Sequence, residues 1–467
     1  MRPHGLERKS FALASTLLLI GLLVTSACRA GDAISKPLVV SKQGPFRSIQ
    51  EAIHTARAGD TIHVESGFYR GNLILDKQVT LEGVGKPIIH GDGQASVITV
   101  TAAGCVLRGF VIESSGTMLV DEDSGILLKS SHNQIEQNEL RDVLFGIYLF
   151  SADHNLIADN TIRGREYLEL GERGSGIHIW NSRDNVIRAN SITLLRDGMY
   201  FQNAYHTTIT GNRVSELRYG IHYMFSDDNK FEDNLFYNNV AGAAIMYSHR
   251  IELRRNGFLH NRGFSSFGIL FQDSDDCLVE DNLIVDNVVG IFMEALRRSI
   301  FQRNLIAAND TAIEIFSSAE GNVFERNNFM ANLSPIQLVG KRTTTLWSRL
   351  GNGNYWNDYT GYDLDADGIG DVPFKIQNVF EHLEGNYPRL RLYLFSPAAQ
   401  AIALADKAFP VIEGSKEFDF YPLMKPVVLS VQMPEAGRPP VAGHSSVVVP
   451  LLMVALSVFL IVQGKKR

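Results

Sequence analysis

Cysteine is scarce in this chain. Only Cys28, Cys105 and Cys277 occur in 467 residues, and no CxxC pair is present. That excludes a disulfide-stapled scaffold and a thiolate zinc or redox motif. An excess of positive charge is also missing. The 44 Lys and Arg against 51 Asp and Glu leave a net charge of -7, which offers no electrostatic footprint for nucleic acid. Proline is modest at 15 residues. Long apolar runs are lacking except near the two ends. The first, Phe11 to Val24, follows Arg2, Arg8 and Lys9 and precedes Ser26 and Ala27, the three-part pattern of a secretory signal peptide over residues 1–30. Cys28 is either a lipid-attachment cysteine, although leucine is missing three residues before it, or a residue removed with the leader. The second run, Val447 to Val462, is closed by Lys465, Lys466 and Arg467. It is slightly short of the roughly 20 residues of a membrane span, and its closing cations suit a cytoplasmic end. A C-terminal membrane anchor over residues 446–467 is expected. The other reading is a hydrophobic tail packed on the domain.

What the chain has instead is a repeat. Its length is too great for one compact core unless the fold is elongated or repetitive. The pattern N-x-Φ-x-x-N, with Φ apolar, starts at Asn133/Ile135/Asn138 and returns at Asn155/Ile157/Asn160 and Asn185/Ile187/Asn190. It continues through Thr207/Ile209/Asn212, Asn229/Phe231/Asn234 and Ile251/Leu253/Asn256 to Cys277/Val279/Asn282, Ser299/Phe301/Asn304 and Asn322/Phe324/Asn327. The steps from Asn190 to Asn212, Asn234 and Asn256 are each 22 residues, and steps of 30 and 26 elsewhere mark loop insertions. A Gly-Φ-x-Φ element keeps the same period at Gly125, Gly146, Gly176, Gly198, Gly220, Gly242, Gly268 and Gly290. Each coil therefore holds two or three short strands separated by Gly and Asn turns. One coil cannot bury its apolar face, but a stack can. The predicted fold is all-β, a right-handed parallel β-helix (a pectate-lyase-like solenoid) with coils of about 22 residues. Asn at one turn position can form a side-chain ladder from coil to coil, and it tolerates left-handed backbone. Cys105 and Cys277 would sit about seven coils apart, on the order of 34 Å at ~4.8 Å per strand step, beyond the reach of a disulfide. Cys277 reads as a buried turn residue and Cys105 as a free thiol.

The pattern also sets the domain organisation. Phe46 to Ala58 places Ile49, Ala52, Ile53 and Ala56 at helical spacing. This helix would cap the open end of the β-helix against edge-to-edge association, with Thr61 to Val64 as the first strand. The capped β-helix is read over residues 31–340 and Asn/Asp/aromatic-rich terminal coils over 341–395. A short helix (397–409) and an extended tail follow within 396–445.

In Gly-Φ-x-Φ the Φ residues face inward and their neighbours outward. One outward column reads Leu127, Tyr148, His178, Tyr200, His222, Ala244, Leu270, Phe292, Glu314. The next reads Lys129, Phe150, Trp180, Gln202, Met224, Met246, Gln272, Glu294, Phe316. So many outward aromatic and apolar side chains suggest a docking surface or ligand groove, with His178, Trp180, Tyr200 and Phe292 as its markers. His222 and Met224 share a strand, Met246 lies one coil on, and His249 three residues further. Imidazole with two thioethers is a soft set suited to Cu(I). The same residues could instead cover a hydrophobic partner. No clustered Asp/Asp/His set lies on these columns, which weighs against a carbohydrate-active lyase, hydrolase or epimerase. That enzyme reading and a metal-free docking scaffold remain the alternatives.

Asp363, Asp365, Asp367 and Asp371 stand at positions 1, 3, 5 and 9 with Gly368 at 6, a spacing that wraps carboxylates around a structural Ca²⁺. Position 12 is Phe374, so the loop departs from a full EF-hand. The other reading is an acidic turn satisfied by backbone amides.

The segment Gly353-Asn354-Tyr355-Trp356-Asn357-Asp358-Tyr359, the acidic loop through Pro373-Phe374, and the pieces Ser396-Pro397-Ala398, Ala408-Phe409-Pro410 and Pro422-Leu423-Met424-Lys425-Pro426 together resemble the end of NosD-family β-helices. The resemblance spans roughly residues 40–426. It implies a periplasmic, non-enzymatic maturation protein that handles copper for nitrous oxide reductase. The partners it implies are the ATPase and permease subunits of an ABC transporter, a copper chaperone and the reductase itself. It supplies no ligand positions. The C-terminal apolar run is not part of the usual pattern.

Overall fold

A computed structural model describes residues 37–340, 343–376 and 417–431, with Ser396 and Ala401 as isolated positions. The expected leader and C-terminal anchor lie outside the described residues, as does the expected helix over 397–409 apart from Ala401. Among the described residues no helix is long and apolar enough to cross a membrane.

Each coil has three short strands, as in Gln134–Glu136, Glu139–Arg141 and Phe145–Phe150. Corresponding strands pair in parallel with the next coil and build three sheets of 13, 13 and 12 strands. The alternation is what turns a coil into a closed layer. Ile135, Leu140, Ile147 and Leu149 point inward with no exposed surface, and their counterparts repeat this in every coil. Each such side chain contributes roughly 1.5–3 kcal/mol of burial, set against the entropy of ordering its coil. The predicted inward set, Met199 and Met293 included, is buried throughout.

The ladder at the turn between the first two sheets is continuous. The backbone N–H and Nδ2 of Asn138 both donate to Oδ1 of Asn160 (3.0 and 3.2 Å). Those of Asn190 donate in turn to Asn212 (2.8 and 3.0 Å), and the chain of bonds reaches Asn354 through Asn327. The left-handed backbone does not fall on these asparagines. It falls on the residue before each one, at Asp159, Ala189, Asp233, Arg255, Asp281, Arg303 and Arg326 (φ 51–56°). That geometry costs a non-glycine residue about 1–2 kcal/mol. The paired asparagine amides hold the turn in that shape. A second ladder, Asn239, Asn261, Asn287, Asn309 and Asn332, runs along the turn before the third sheet and was not read from the sequence.

The N-terminal cap is a helix, Ile49–Thr55, with Ser48 as its N-cap and Ile49, Ala52 and Ile53 buried against the first coils. The first strand is Leu38–Val40, which pairs with Thr61–Glu65. The sequence reading began one strand later, because three residues carry no visible period. At the other end residues 417–431 fold back onto the last coils. Phe374–Lys375 pairs with Phe418–Asp419. Trp347 and Trp356 donate their indole N–H to Glu417 (2.8 Å) and Asp419 (3.0 Å). Leu429 and Val431 then cover the outward Leu235, Leu259 and Leu283 of the second sheet. Cys105 and Cys277 are both free and buried. Burial pushes the Cys277 thiol up to about 12 and raises that of Cys105.

Candidate functional site

The two outward columns of the third sheet are in the predicted register. Tyr148, His178, Tyr200, His222, Ala244, Leu270 and Phe292 are successive partners. So are Phe150, Trp180, Gln202, Met224, Met246 and Gln272. Pointing outward does not mean exposed here. Tyr148 is 4% exposed and His178 7%. Leu119 and Glu122, from the long connection between Glu113 and Ser124, line the space over them together with Arg196 and Arg218. The result is a cleft of about 580 Å³ floored by the first part of the columns.

The two arginines occupy equivalent turn positions one coil apart, each two residues before a repeat glycine. The Arg218 backbone N–H donates to the Arg196 carbonyl (2.8 Å). Between them Asp197 begins its strand and is fully buried. Its carboxylate accepts Nε and Nη2 of Arg218 (2.9 and 2.8 Å) and Nε of Arg196 (3.3 Å). It also pairs with Nδ1 of His222 (3.1 Å). Burial alone would raise the Asp197 pKa, but His222 and Arg218 hold it below its ordinary value. His178 lies between the rings of Tyr148 (4.4 Å) and Tyr200 (4.6 Å). Burial, then the nearby Arg196 charge, push its pKa down to about 3, so the ring is neutral at physiological pH. Its Nδ1 is buried without a hydrogen-bond partner. The Tyr148 phenol is raised by burial and by its hydrogen bond with Glu122. That of Tyr200, which donates to Gln202 Oε1 (2.8 Å), is raised by burial and Asp197. Trp180 stacks on Phe150 at 4.7 Å.

The sequence candidates divide among several places. His178, Trp180, Tyr200 and His222 line the cleft. Phe292 lies five coils beyond His178 and packs on Phe267 and Phe316 (5.0 and 5.1 Å). Met224 and Met246 are direct partners on neighbouring strands, about 4.8 Å apart at the backbone. They stand beside the cleft and do not line it. His249 lies past the turn at Tyr247, where its Nδ1 faces Asp275 at 3.5 Å. The thioether pair is thus side by side, His222 retains Nε2 while Nδ1 meets Asp197, and His249 faces another partner. This donor chemistry suits a soft monovalent ion at the methionines. Arg196, Asp197, Arg218 and Glu122 were missed. One signal was available for the arginines: the position two before the repeat glycine is otherwise held by Asp123, Leu144, Gly174, Val240, Ser266 and Val288.

In the acidic loop, Asp363, Asp365 and Asp367 bring carboxylate oxygens within 4.8 Å of one another. Asp371 is outside that group and accepts from the Leu364 N–H (2.7 Å). Asp363 Oδ2 accepts from Gly368 N–H (2.9 Å), while its Oδ1 is buried without a hydrogen-bond partner.

Comparison with known proteins places these features in context. Residues 161–361 match the family model described as "Periplasmic copper-binding protein (NosD)". The chain is 30% identical to the "Probable ABC transporter binding protein NosD" of Pseudomonas aeruginosa, over 90% of this chain and 98% of that one. It is 26% identical to the protein of the same name from Stutzerimonas stutzeri, over 77% of this chain and 86% of that one. Among solved structures, the A-module of the Azotobacter vinelandii mannuronan C-5 epimerase AlgE4 matches with a TM-score of 0.46 and 15% identity. That match covers 66% of this chain and 96% of the module.

Proposed function

This chain belongs to the NosD family, and from that premise we propose that it is a periplasmic accessory protein that handles Cu(I) during assembly of the copper centre of nitrous oxide reductase. It works as a binding protein beside an ABC transporter ATPase and permease, with a copper chaperone as the source of the metal. Support comes from the family description and from one structural observation: Met224 and Met246 stand in register on an outward face, with His222 two residues before Met224 on the same strand. Two thioethers and an imidazole bind Cu(I) in preference to hard cations. A site open to one side also suits a metal that must leave again.

Cu(I) titration of the purified full chain against a competing chelator tests this. Wild type is expected to bind, and Met224→Ala/Met246→Ala to bind at least about tenfold more weakly, as loss of two soft ligands requires. Undiminished binding in the double variant would remove this site. No binding by wild type would turn the reading toward a metal-free docking scaffold.

We also infer that the acidic loop takes a structural Ca²⁺, supported by the three converging carboxylates and the unpaired Asp363 Oδ1. Calcium is expected to raise the melting temperature of wild type and leave that of Asp363→Asn/Asp365→Asn unchanged.

A further inference from the structure

Copper does not account for the cleft. The methionines are not part of its lining, and its polar groups are hard donors and acceptors among aromatic rings. Its volume of about 580 Å³ is in the range of small-molecule sites.

His178 is the first indication of a ligand. It is 7% exposed, and its Nδ1 has no hydrogen-bond partner. Leaving a buried polar atom unpaired is destabilising. The same column holds leucine at 127 and 270 and alanine at 244, so the fold accepts an apolar residue there without that cost.

The arginine pair is the second. Two guanidinium groups share the single carboxylate of Asp197. Arg218 directs Nε and Nη2 to it, but Arg196 directs only Nε. The amino ends of Arg196 and the Nη1 of Arg218 are left to meet an anion at that side of the cleft. Glu122 and the Tyr148 phenol line the same space, with Tyr148 two coils before Tyr200 in the column. A carboxylate beside Glu122 would be repelled, whereas a hydroxyl could donate to it.

The ligand must therefore carry an anionic group at one end and hydroxyl donors at the other. Between them it needs a body with flat apolar faces for Tyr148, Trp180 and Tyr200. Sugar rings present C–H faces to aromatic side chains and hydroxyls around their edge. We infer that this cleft binds a carboxylate-bearing sugar ring, a hexuronate, with its carboxylate on Arg196 and Arg218 and its hydroxyls toward His178 and Glu122. The inference stands apart from the copper reading and shares with it only His222.

Calorimetry on the purified full chain tests this with glucuronate, galacturonate and mannuronate as probes, and glucose, benzoate and sulfate as controls. At least one uronate is expected to bind, glucose at least about tenfold more weakly, and neither benzoate nor sulfate to compete. Arg196→Gln and His178→Phe are each expected to weaken uronate binding at least about tenfold. Phenylalanine keeps the packing between the two tyrosines, so a wild-type melting temperature in His178→Phe would separate lost recognition from lost folding. Cu(I) affinity is expected to be unchanged in both variants. Failure of every uronate to bind would overturn the inference. So would equal binding by sulfate or benzoate, or full affinity in both variants.

Discussion

From Asn138 to Asn354 the buried turn column has ten positions, all asparagine, while the outward column of the third sheet changes from tyrosine to histidine, alanine, leucine, phenylalanine and glutamate over the same coils. Both columns advance by one coil at a time. The difference lies in what each position must satisfy. A ladder position has to accept from the coil before it and donate to the coil after it, and the short planar amide of asparagine does both. An outward position only has to complete a strand, so its side chain is free to vary. The repeat constrains the frame and leaves the chemistry to the columns it does not constrain.

The largest effect should come from breaking the ladder. Asn234 Oδ1 accepts from the N–H and Nδ2 of Asn212 (both 2.9 Å), and its own Nδ2 donates to Ile209 O and Asn256 Oδ1 (both 2.9 Å). Asn234→Ala leaves several of these buried groups unpaired and is expected to cost about 3 kcal/mol or more, read as a fall in the urea midpoint.

A smaller effect should appear where the ladder ends. Asn354 donates its N–H to a carboxylate, Asp419 Oδ2 (2.7 Å), in place of another asparagine. Burial raises the pKa of both Asp419 and Glu417. A carboxyl whose pKa is higher in the folded state contributes stability below its unfolded pKa, near 4. That contribution is lost as pH rises through the folded value. The C-terminal closure is therefore expected to loosen as pH climbs through and above the ordinary carboxyl range. Fluorescence of Trp347 and Trp356 in a Trp180→Phe background would follow it, and Asp419→Asn should flatten the response. A closure that tightens with rising pH would contradict this account.

The smallest effect should come from the outward column. Gln272→Ala is expected to change stability by no more than about 0.5 kcal/mol, measured by the same urea titration as Asn234→Ala. If the two substitutions cost the same, the contrast between frame and face fails.

Much of the frame was legible in the sequence because it is local and repeated. The 22-residue step, the inward set and the pairing of Met224 with Met246 all follow from period 2 within a strand and one coil between strands. The location of the left-handed residue was misassigned. Spacing identifies a turn but not which of its residues takes the positive φ, and the structure assigns it to Asp159 and Arg255 instead of the asparagines that follow. The candidate site was legible in part. His178, Trp180 and Tyr200 came from the columns, but Leu119, Glu122, Arg196 and Arg218, which line the space over them, did not.

The sequence by itself therefore determined the parallel β-helix, its register, the side of each strand that faces out and the family to which the chain is related. These are properties of nearest neighbours along the chain and from coil to coil. Only the tertiary structure decided that the long connection before Ser124 covers Tyr148 and His178, that Asp197 gathers Arg196, Arg218 and His222, and that Asp419 terminates a ladder 65 residues before it in the chain. The reason is physical. A strand's direction is set by its own backbone, whereas the burial and charge of a side chain are set by whichever distant segment packs over it.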